Sequence, residues 1–106
     1  MKLAIVLSSS NVETNWNAFR LANLAIGKGD TVSVFLIGEG VEYGKHTSAQ
    51  FNITKQVQKF LEPGGKIVAC GTCMAIRKQE SSQECLAGGI EDLYNLIADS
   101  DKVITF

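Results

Sequence analysis

The hydrophobic and polar positions along the chain fall into short apolar runs separated by longer segments with helical spacing. Residues 2–7 form a continuous apolar run that ends in small polar residues, a pattern typical of a strand buried on both faces. Residues 14–26 carry apolar side chains at helical spacing, and Gly27 and Gly29 supply a helix stop. Residues 31–37 are rich in β-branched and aromatic residues and predict a second strand.

The middle of the chain repeats this alternation. Residues 41–50 predict a polar loop, and residues 51–61 have the apolar spacing of a second helix. Pro63-Gly64-Gly65 ends that helix, because proline and glycine both interrupt helical backbone. Residues 66–69 predict a short third strand that runs directly into Cys70-Gly71-Thr72-Cys73.

The last third of the chain is less regular. A short helix is predicted to begin around Thr72 and to extend through Lys78. Residues 79–89 are polar and show no clear periodicity. Residues 90–98 have helical spacing, and residues 102–106 predict a closing strand.

The alternation of strands and helices predicts the fold class. Such an order implies a mainly parallel sheet with helices on both faces, which is a three-layer α/β domain. The 106 residues contain no repeat, linker or domain boundary, so we expect residues 1–106 to form a single domain.

Composition and charge narrow the possible partners. Ten basic and eleven acidic residues give a net charge of −1, without the basic excess typical of direct nucleic-acid binding. No apolar run is long enough for a membrane span, and the short N-terminal run does not resemble a signal peptide, so we expect a cytoplasmic protein without a membrane partner. A domain this small is marginally stable, which favours a homo-oligomer.

Three loops are predicted to meet at one edge of the sheet. Ligands of open α/β sheets bind beyond the carboxyl ends of the strands, where residues 8–11, 38–46 and 70–73 are expected. The candidate residues lining that site are Ser8, Ser9, Asn11, Gly38, Gly40, His46, Gly71 and Thr72.

The pair Cys70 and Cys73 is the strongest chemical signal in the sequence. Two cysteines three residues apart at a strand-to-helix turn lie close enough to bridge, and a helix N-terminus favours the thiolate. The positive charge of Arg77 is expected to favour the thiolate as well. The alternative is that both cysteines are inert core residues. A single cysteine pair is a weak zinc motif, so we expect no cofactor and no metal, with a metal shared between subunits as the lesser alternative.

Other polar residues allow a simpler interpretation as well as a functional one. Cys85 is expected to pack in the core, and Glu39 and Glu42 are expected to face solvent. His46 is either a proton carrier or a solvated loop residue. Residues 8–11 either cradle a phosphate or form a polar loop that caps the next helix; they lack the glycine and lysine of phosphate-binding motifs.

Several stretches together resemble a known family. They are the opening residues 2–7, the second strand and its loop at residues 34–41, the cysteine loop 70–73 with Arg77, and the closing residues 92–106. In these the chain is similar to the DsrE/DsrF-like sulfur-relay family, particularly its YchN-like branch. The likeness covers nearly the whole chain, and the cysteine loop and the ending are its most specific parts.

The resemblance implies a flavodoxin-like (DsrEFH-like) fold and assembly into trimers or hexamers. It also implies that sulfur is carried as a cysteine persulfide, with Cys70 matching the relay cysteine and Cys73 the second cysteine of the branch. Many relatives have a glycine after the arginine of this loop, where the present chain has Lys78.

The leading hypothesis is a sulfur carrier, which would act as a sulfurtransferase. Cys70 is expected to accept sulfur from a donor protein and to pass it to an acceptor protein, while Cys73 can attack the persulfide and release sulfide. Two alternatives stay open. One is a dithiol redox protein or sensor that uses the same pair, and the other is a non-catalytic oligomeric binding protein.

Overall fold

Strands and helices alternate along the chain. The computed structural model describes all of residues 1–106. In chain order they are β1 (Lys2–Leu7), α1 (Val12–Gly27), β2 (Thr31–Leu36), a 3₁₀ helix (Gly38–Glu42), α2 (Ile53–Leu61), β3 (Lys66–Cys70), α3 (Gly71–Ile76), β4 (Leu86–Gly88), α4 (Ile90–Asp99) and β5 (Lys102–Thr105). None of the helices combines the length and the apolar composition needed to cross a lipid bilayer.

The five strands form one sheet in the order β4-β3-β2-β1-β5, and every neighbouring pair is parallel. From β1 to β4 the chain steps across the sheet in one direction, and it then returns to place β5 on the other side of β1. Because crossovers between parallel strands are right-handed, α1 and α2 lie on one face and α4 lies on the opposite face. The predicted α/β class with helices on both faces is therefore confirmed.

The main core fills the space between the sheet and the two helices α1 and α2. Alternate residues of β1, including Ile5 and Leu7, are fully buried on this face. Phe19 of α1 and Phe60 of α2 are fully buried as well, and their ring centroids lie 5.8 Å apart in an edge-on arrangement. These large aromatic rings help to hold the two helices to the sheet, because they bury a large apolar surface between them.

The opposite face of the sheet is less completely covered. No residue of α4 is fully buried, and a cleft of about 350 Å³ opens between α4 and strands β2, β3 and β4. Ile90 and Tyr94 of this helix are each 71% exposed, and Ile97 is 46% exposed. The amphipathic helix α4 therefore covers this face of the sheet only in part, and much of its apolar surface is exposed to solvent.

Two details of the sequence-based prediction are wrong. Residues 79–89 were expected to be irregular, but Leu86–Gly88 form the edge strand β4, which is too short and too exposed to show alternation. The helix of the cysteine loop ends at Ile76 rather than including Arg77 and Lys78. Lys78 has a φ of 53°, in the left-handed region that favours glycine and ends helical backbone.

Gly40 is the tightest point between the 3₁₀ helix and the sheet. A β-carbon at this position would overlap the carbonyl oxygen of Leu7 at the end of β1. The same carbonyl accepts a hydrogen bond of 3.0 Å from the backbone N–H of Ile37. The close approach therefore fixes the loop after β2 against the end of β1, and only glycine allows it.

We expect Gly40→Ala to destabilise the protein by about 2 kcal/mol, because the added methyl group must displace either the loop or Leu7. The matched control is Gly44→Ala, since a β-carbon at Gly44 meets no atom within 4 Å. Urea unfolding followed by circular dichroism measures both variants. Equal stability of the two would contradict the packing described here.

Candidate functional site

The register of the sheet brings two loops together at its carboxyl edge. Leu36 of β2 pairs with Ala69 of β3, so the chain leaves both strands at the same level. Beyond these two residues, Gly38 begins the 3₁₀ helix after β2, and Cys70 ends β3. The 3₁₀ helix and the cysteine loop are neighbours for this reason.

Cys70 is the last residue of β3 and also the cap of α3. Its Sγ accepts a hydrogen bond of 3.4 Å from the backbone N–H of Cys73, and the residue is only 9% exposed. On the other side of the strand, Cys70 is paired with Gly88 of β4. This thiol is therefore held at the boundary of the core, where its main contact supports the first turn of α3.

Cys73 lies one turn further along and is half-buried. Its Sγ accepts a hydrogen bond of 3.2 Å from the backbone N–H of Gly38, which comes from the other loop. Gly38 has a φ of 58°, a backbone conformation that non-glycine residues adopt only with strain. The sulfur of Cys73 thus joins the two loops that meet at this edge.

Hydrogen bonds lower the pKa of Cys73 below the ordinary thiol value of 9.0. The thiol of Cys70 is the largest cause, and the N–H of Gly38 and the positive charge of Arg77 act in the same direction. From the sequence, the N-terminus of α3 was expected to be the main source of this effect. That helix has only six residues. The Cys70 thiol lies at its cap, and the N–H of Gly38 comes from outside it.

Arg77 connects the cysteine loop to the 3₁₀ helix. Its Nη1 donates to the carbonyl oxygen of Cys73 at 3.1 Å, and its Nε donates to Oε1 of Glu42 at 3.0 Å. Oε2 of Glu42 accepts from Lys45 at 3.1 Å. Hydrogen bonds from Lys45 and then Arg77 lower the pKa of the Glu42 carboxyl. Glu42 was expected to face solvent, but it is an ion-pair partner within the site.

Two further contacts hold the segment after α3 against the same loop. Nε2 of Gln79 donates to the carbonyl oxygen of Val41 at 2.9 Å, and the hydroxyl of Tyr43 donates to Oε1 of Glu84 at 2.9 Å. Burial, together with Glu84, raises the pKa of the Tyr43 phenol. No periodicity in the sequence could predict these contacts, because they join irregular segments.

The serine-rich loop after β1 uses its polar groups internally. The hydroxyl of Ser8 donates to the carbonyl oxygen of Phe106, and that of Ser9 accepts from the N–H of Asn11. Oδ1 of Asn11 accepts from the N–H of Thr14 and caps α1. The loop therefore matches the predicted polar cap, and none of these three side chains hydrogen-bonds to the cysteine pair.

The remaining predicted residues have different surroundings. Gly71 lies beside Gly88, whose carbonyl oxygen would be 3.6 Å from an added β-carbon. Thr72 is exposed next to Cys73, and His46 is exposed on its loop. His46 forms neither an ion pair nor a hydrogen bond with the cysteine loop. Its exposure agrees with the interpretation as a solvated loop residue, and the alternative of a proton carrier stays a prediction.

Asn15 is a buried residue that the sequence analysis missed. Its Nδ2 donates to the carbonyl oxygen of Ser9 at 2.9 Å and to that of Tyr43 at 3.3 Å, while its Oδ1 has no partner. The side chain therefore ties the loop after β1 to the segment that follows the 3₁₀ helix. An asparagine among the apolar residues facing the core was the available signal.

Cys85 is buried in the core, as the sequence predicted. Burial, and to a smaller extent Glu84, raises the pKa of its thiol to about 11. No three histidine, cysteine or carboxylate side chains are arranged to hold a metal ion. Of the three cysteines, Cys85 is therefore the least suited to react as a thiolate.

We expect iodoacetamide to alkylate Cys73 rapidly at neutral pH, because a lowered pKa leaves more of this accessible thiol as thiolate. The rate should rise with pH through a midpoint below 9.0. Cys85 should react only after unfolding, since burial both shields it and suppresses its thiolate. Peptide mapping by mass spectrometry across a pH series measures each rate, and faster labelling of Cys85 than of Cys73 would refute this assignment.

Comparison with known proteins places the whole chain in one group. The model of the DsrE/DsrF-like family matches residues 1–106. An uncharacterized protein of Methanopyrus kandleri is 32% identical over 114 residues, which cover 98% of this chain and 93% of that protein. An uncharacterized protein of Methanocaldococcus jannaschii is 25% identical and covers 100% of both chains. Neither name states an activity.

Solved structures show the same fold. The ychN protein from E. coli superposes with a TM-score of 0.88 at 22% identity, covering 100% of this chain and 99% of that chain. A conserved protein of unknown function from Bacteroides thetaiotaomicron has a TM-score of 0.79 at 18% identity, covering 99% and 94% of the two chains. At these identities the likeness extends to the fold alone.

Proposed function

The chain belongs to the DsrE/DsrF-like family, and on that premise we propose that it is a sulfur-relay protein that carries persulfide sulfur on the pair Cys70 and Cys73. Membership of the family points to a function of the sulfur-relay type. The single observation that carries the finer proposal is the sulfur of Cys73, which accepts the N–H of Gly38 beside a second thiol.

The transfer requires no change in overall oxidation state. A thiolate of the pair attacks the outer sulfur of a donor persulfide, so the donor's S–S bond breaks as a new S–S bond forms on the cysteine. The donor leaves as a thiolate with the electron pair and takes up a proton. An acceptor thiolate then attacks the same outer sulfur and regenerates the cysteine thiolate.

The second thiol gives the loaded protein another outcome. If it attacks the inner sulfur of the persulfide, hydrosulfide leaves and a disulfide joins Cys70 to Cys73. The outer sulfur is then reduced while the two thiols are oxidised, and a dithiol reductant is needed to reset the pair. Both cysteines are free thiols in the structure. The same pair would also serve a dithiol redox protein, which forms the disulfide between Cys70 and Cys73 but transfers no sulfur.

The surface around Cys73 suits another protein as donor or acceptor. Ile76, three residues further along α3, is 73% exposed, and Thr72 and Ala75 are exposed beside it. An exposed apolar side chain within one helical turn of a reactive thiol offers burial to a partner that reaches the sulfur. The exchange fits the cytoplasm, where thiols are kept reduced.

Assembly into a homo-oligomer, as a trimer or hexamer, is a second part of the proposal. The apolar side chains of Ile90, Tyr94 and Ile97 are exposed on α4, and the cleft beside this helix is open. Exposed apolar surface of this kind is characteristic of protein interfaces. A second copy of the chain would cover the incomplete face of the sheet.

We expect the purified protein to gain one sulfur atom on incubation with glutathione persulfide, because the pair offers a thiolate that is accessible to the donor. Intact mass spectrometry detects the gain, which a reductant should reverse. The matched control is Cys85→Ser, which leaves the pair intact and should load like the wild type.

Loss of two hydrogens without any gain of sulfur would favour the dithiol redox function instead. An unchanged mass in the wild type and in Cys85→Ser would refute the relay proposal, provided that the donor transfers sulfur to a small thiol in the same buffer. It would leave the binding function as the remaining candidate.

For the oligomer, we expect Tyr94→Glu to lower the mass measured by light scattering to that of a single chain, because the new charge would be buried in the interface. Leu24→Glu is the control, since Leu24 is 58% exposed on α1, on the other face. An unchanged mass for Tyr94→Glu, or a wild type that is already monomeric, would contradict the proposed interface.

A further inference from the structure

The two thiols of the pair lie in different surroundings although they are three residues apart. Cys70 is 9% exposed, ends a strand that is paired on both sides, and supports the first turn of α3 with its sulfur. Cys73 is half-buried and its sulfur faces the adjacent loop. An incoming persulfide therefore meets Cys73 first, and it reaches Cys70 only if the loop moves.

The backbone N–H of Gly38, which donates to the sulfur of Cys73, is held rigidly in place. Gly40 packs against the carbonyl of Leu7 so closely that no side chain fits, and its N–H bonds to the carbonyl oxygen of Ile37 at 3.0 Å. Val41 is 1% exposed, and its carbonyl is bound by Gln79. The N–H of Gly38 therefore points at the sulfur without reorganising, which is the arrangement that stabilises a developing anion most effectively.

A cation is also bound to the backbone of Cys73 and not to that of Cys70. Arg77 is bound to the carbonyl oxygen of Cys73 at 3.1 Å and is kept there by Glu42 at 3.0 Å. Cys70 has no such contact. A hydrogen-bond donor therefore contacts the sulfur of Cys73, and a positive charge is bound to the backbone of the same residue.

From this asymmetry we infer that Cys73, rather than Cys70, is the catalytic thiol that receives the sulfur, and that the N–H of Gly38 is the positioning group that holds its anion. The inference rests on the proposed relay function and assigns its roles. The resemblance to the family implies the opposite order, with Cys70 as the relay cysteine.

In the chemical step, the Cys73 thiolate attacks the outer sulfur of the donor persulfide, and the donor thiolate leaves with the electron pair of the broken S–S bond. When an acceptor thiolate later removes that sulfur, Cys73 is the leaving group, and the N–H of Gly38 stabilises the thiolate that it becomes. Cys70 acts second, as the thiol that attacks the Sγ of Cys73 and expels hydrosulfide.

The test compares Cys70→Ser with Cys73→Ser, both incubated with glutathione persulfide, trapped with iodoacetamide and mapped by mass spectrometry without reduction. A serine hydroxyl at position 70 still caps α3, and one at position 73 still accepts from Gly38, so both variants are expected to fold. We expect the trapped persulfide on Cys73 in Cys70→Ser, and loading of Cys73→Ser slower by about tenfold or more.

Equal or faster loading of Cys70 in Cys73→Ser would overturn the assignment while leaving the relay function intact. Absence of sulfur on both variants and on the wild type would instead overturn the relay function itself. The two failures are therefore distinguishable within one experiment.

The role of Gly38 has its own measurement. Gly38→Ala strains a residue whose φ is 58°, so we expect the N–H to move away from the sulfur and the midpoint of Cys73 alkylation to rise by about one pH unit. Gly44→Ala is the control from the same loop and should keep the wild-type profile. Identical pH profiles for the two folded variants would overturn the positioning role, and the cysteine variants test the receiving thiol independently of this loop.

Discussion

The close approach of Gly40 to the carbonyl oxygen of Leu7 sets the geometry of the site. This contact presses the 3₁₀ helix onto the end of β1, so the backbone on either side of Gly40 has little freedom. Gly38 upstream and Glu42 downstream are fixed with it, and they contact Cys73 and Arg77 respectively. The surroundings of the Cys73 sulfur thus depend on backbone packing at the end of β1, two strands away from β3.

The same arrangement separates two roles within a short cysteine motif. One thiol closes a strand and supports a helical turn, while the other accepts a hydrogen bond from a neighbouring loop. The positive charge of Arg77 also distinguishes the two cysteines, because its guanidinium group binds the backbone of Cys73 and not that of Cys70. Within this motif one sulfur therefore caps a helix, while the other accepts a hydrogen bond from the loop that follows the adjacent strand.

Sequence patterns were sufficient for the elements with strong periodicity and for the location of the cysteine loop. Continuous apolar runs identified β1, β2 and β3, because these strands are buried by their neighbours and by helices. They could not identify β4, whose three residues lie at an exposed sheet edge. Nor could they pair Glu42 with Arg77, since a contact between residues 35 positions apart depends on the register of the sheet.

The distribution of core residues along the chain has a consequence for mutational tolerance. Of the 18 residues in the core cluster, all but Met74 and Cys85 precede Cys70. Most of this core is therefore formed by residues upstream of the cysteine loop, and the exposed positions of residues 71–83 contribute little to it. Substitutions at those exposed positions can therefore change the surface around the Cys73 thiol at small cost to the fold, so that surface is free to diverge while the scaffold persists.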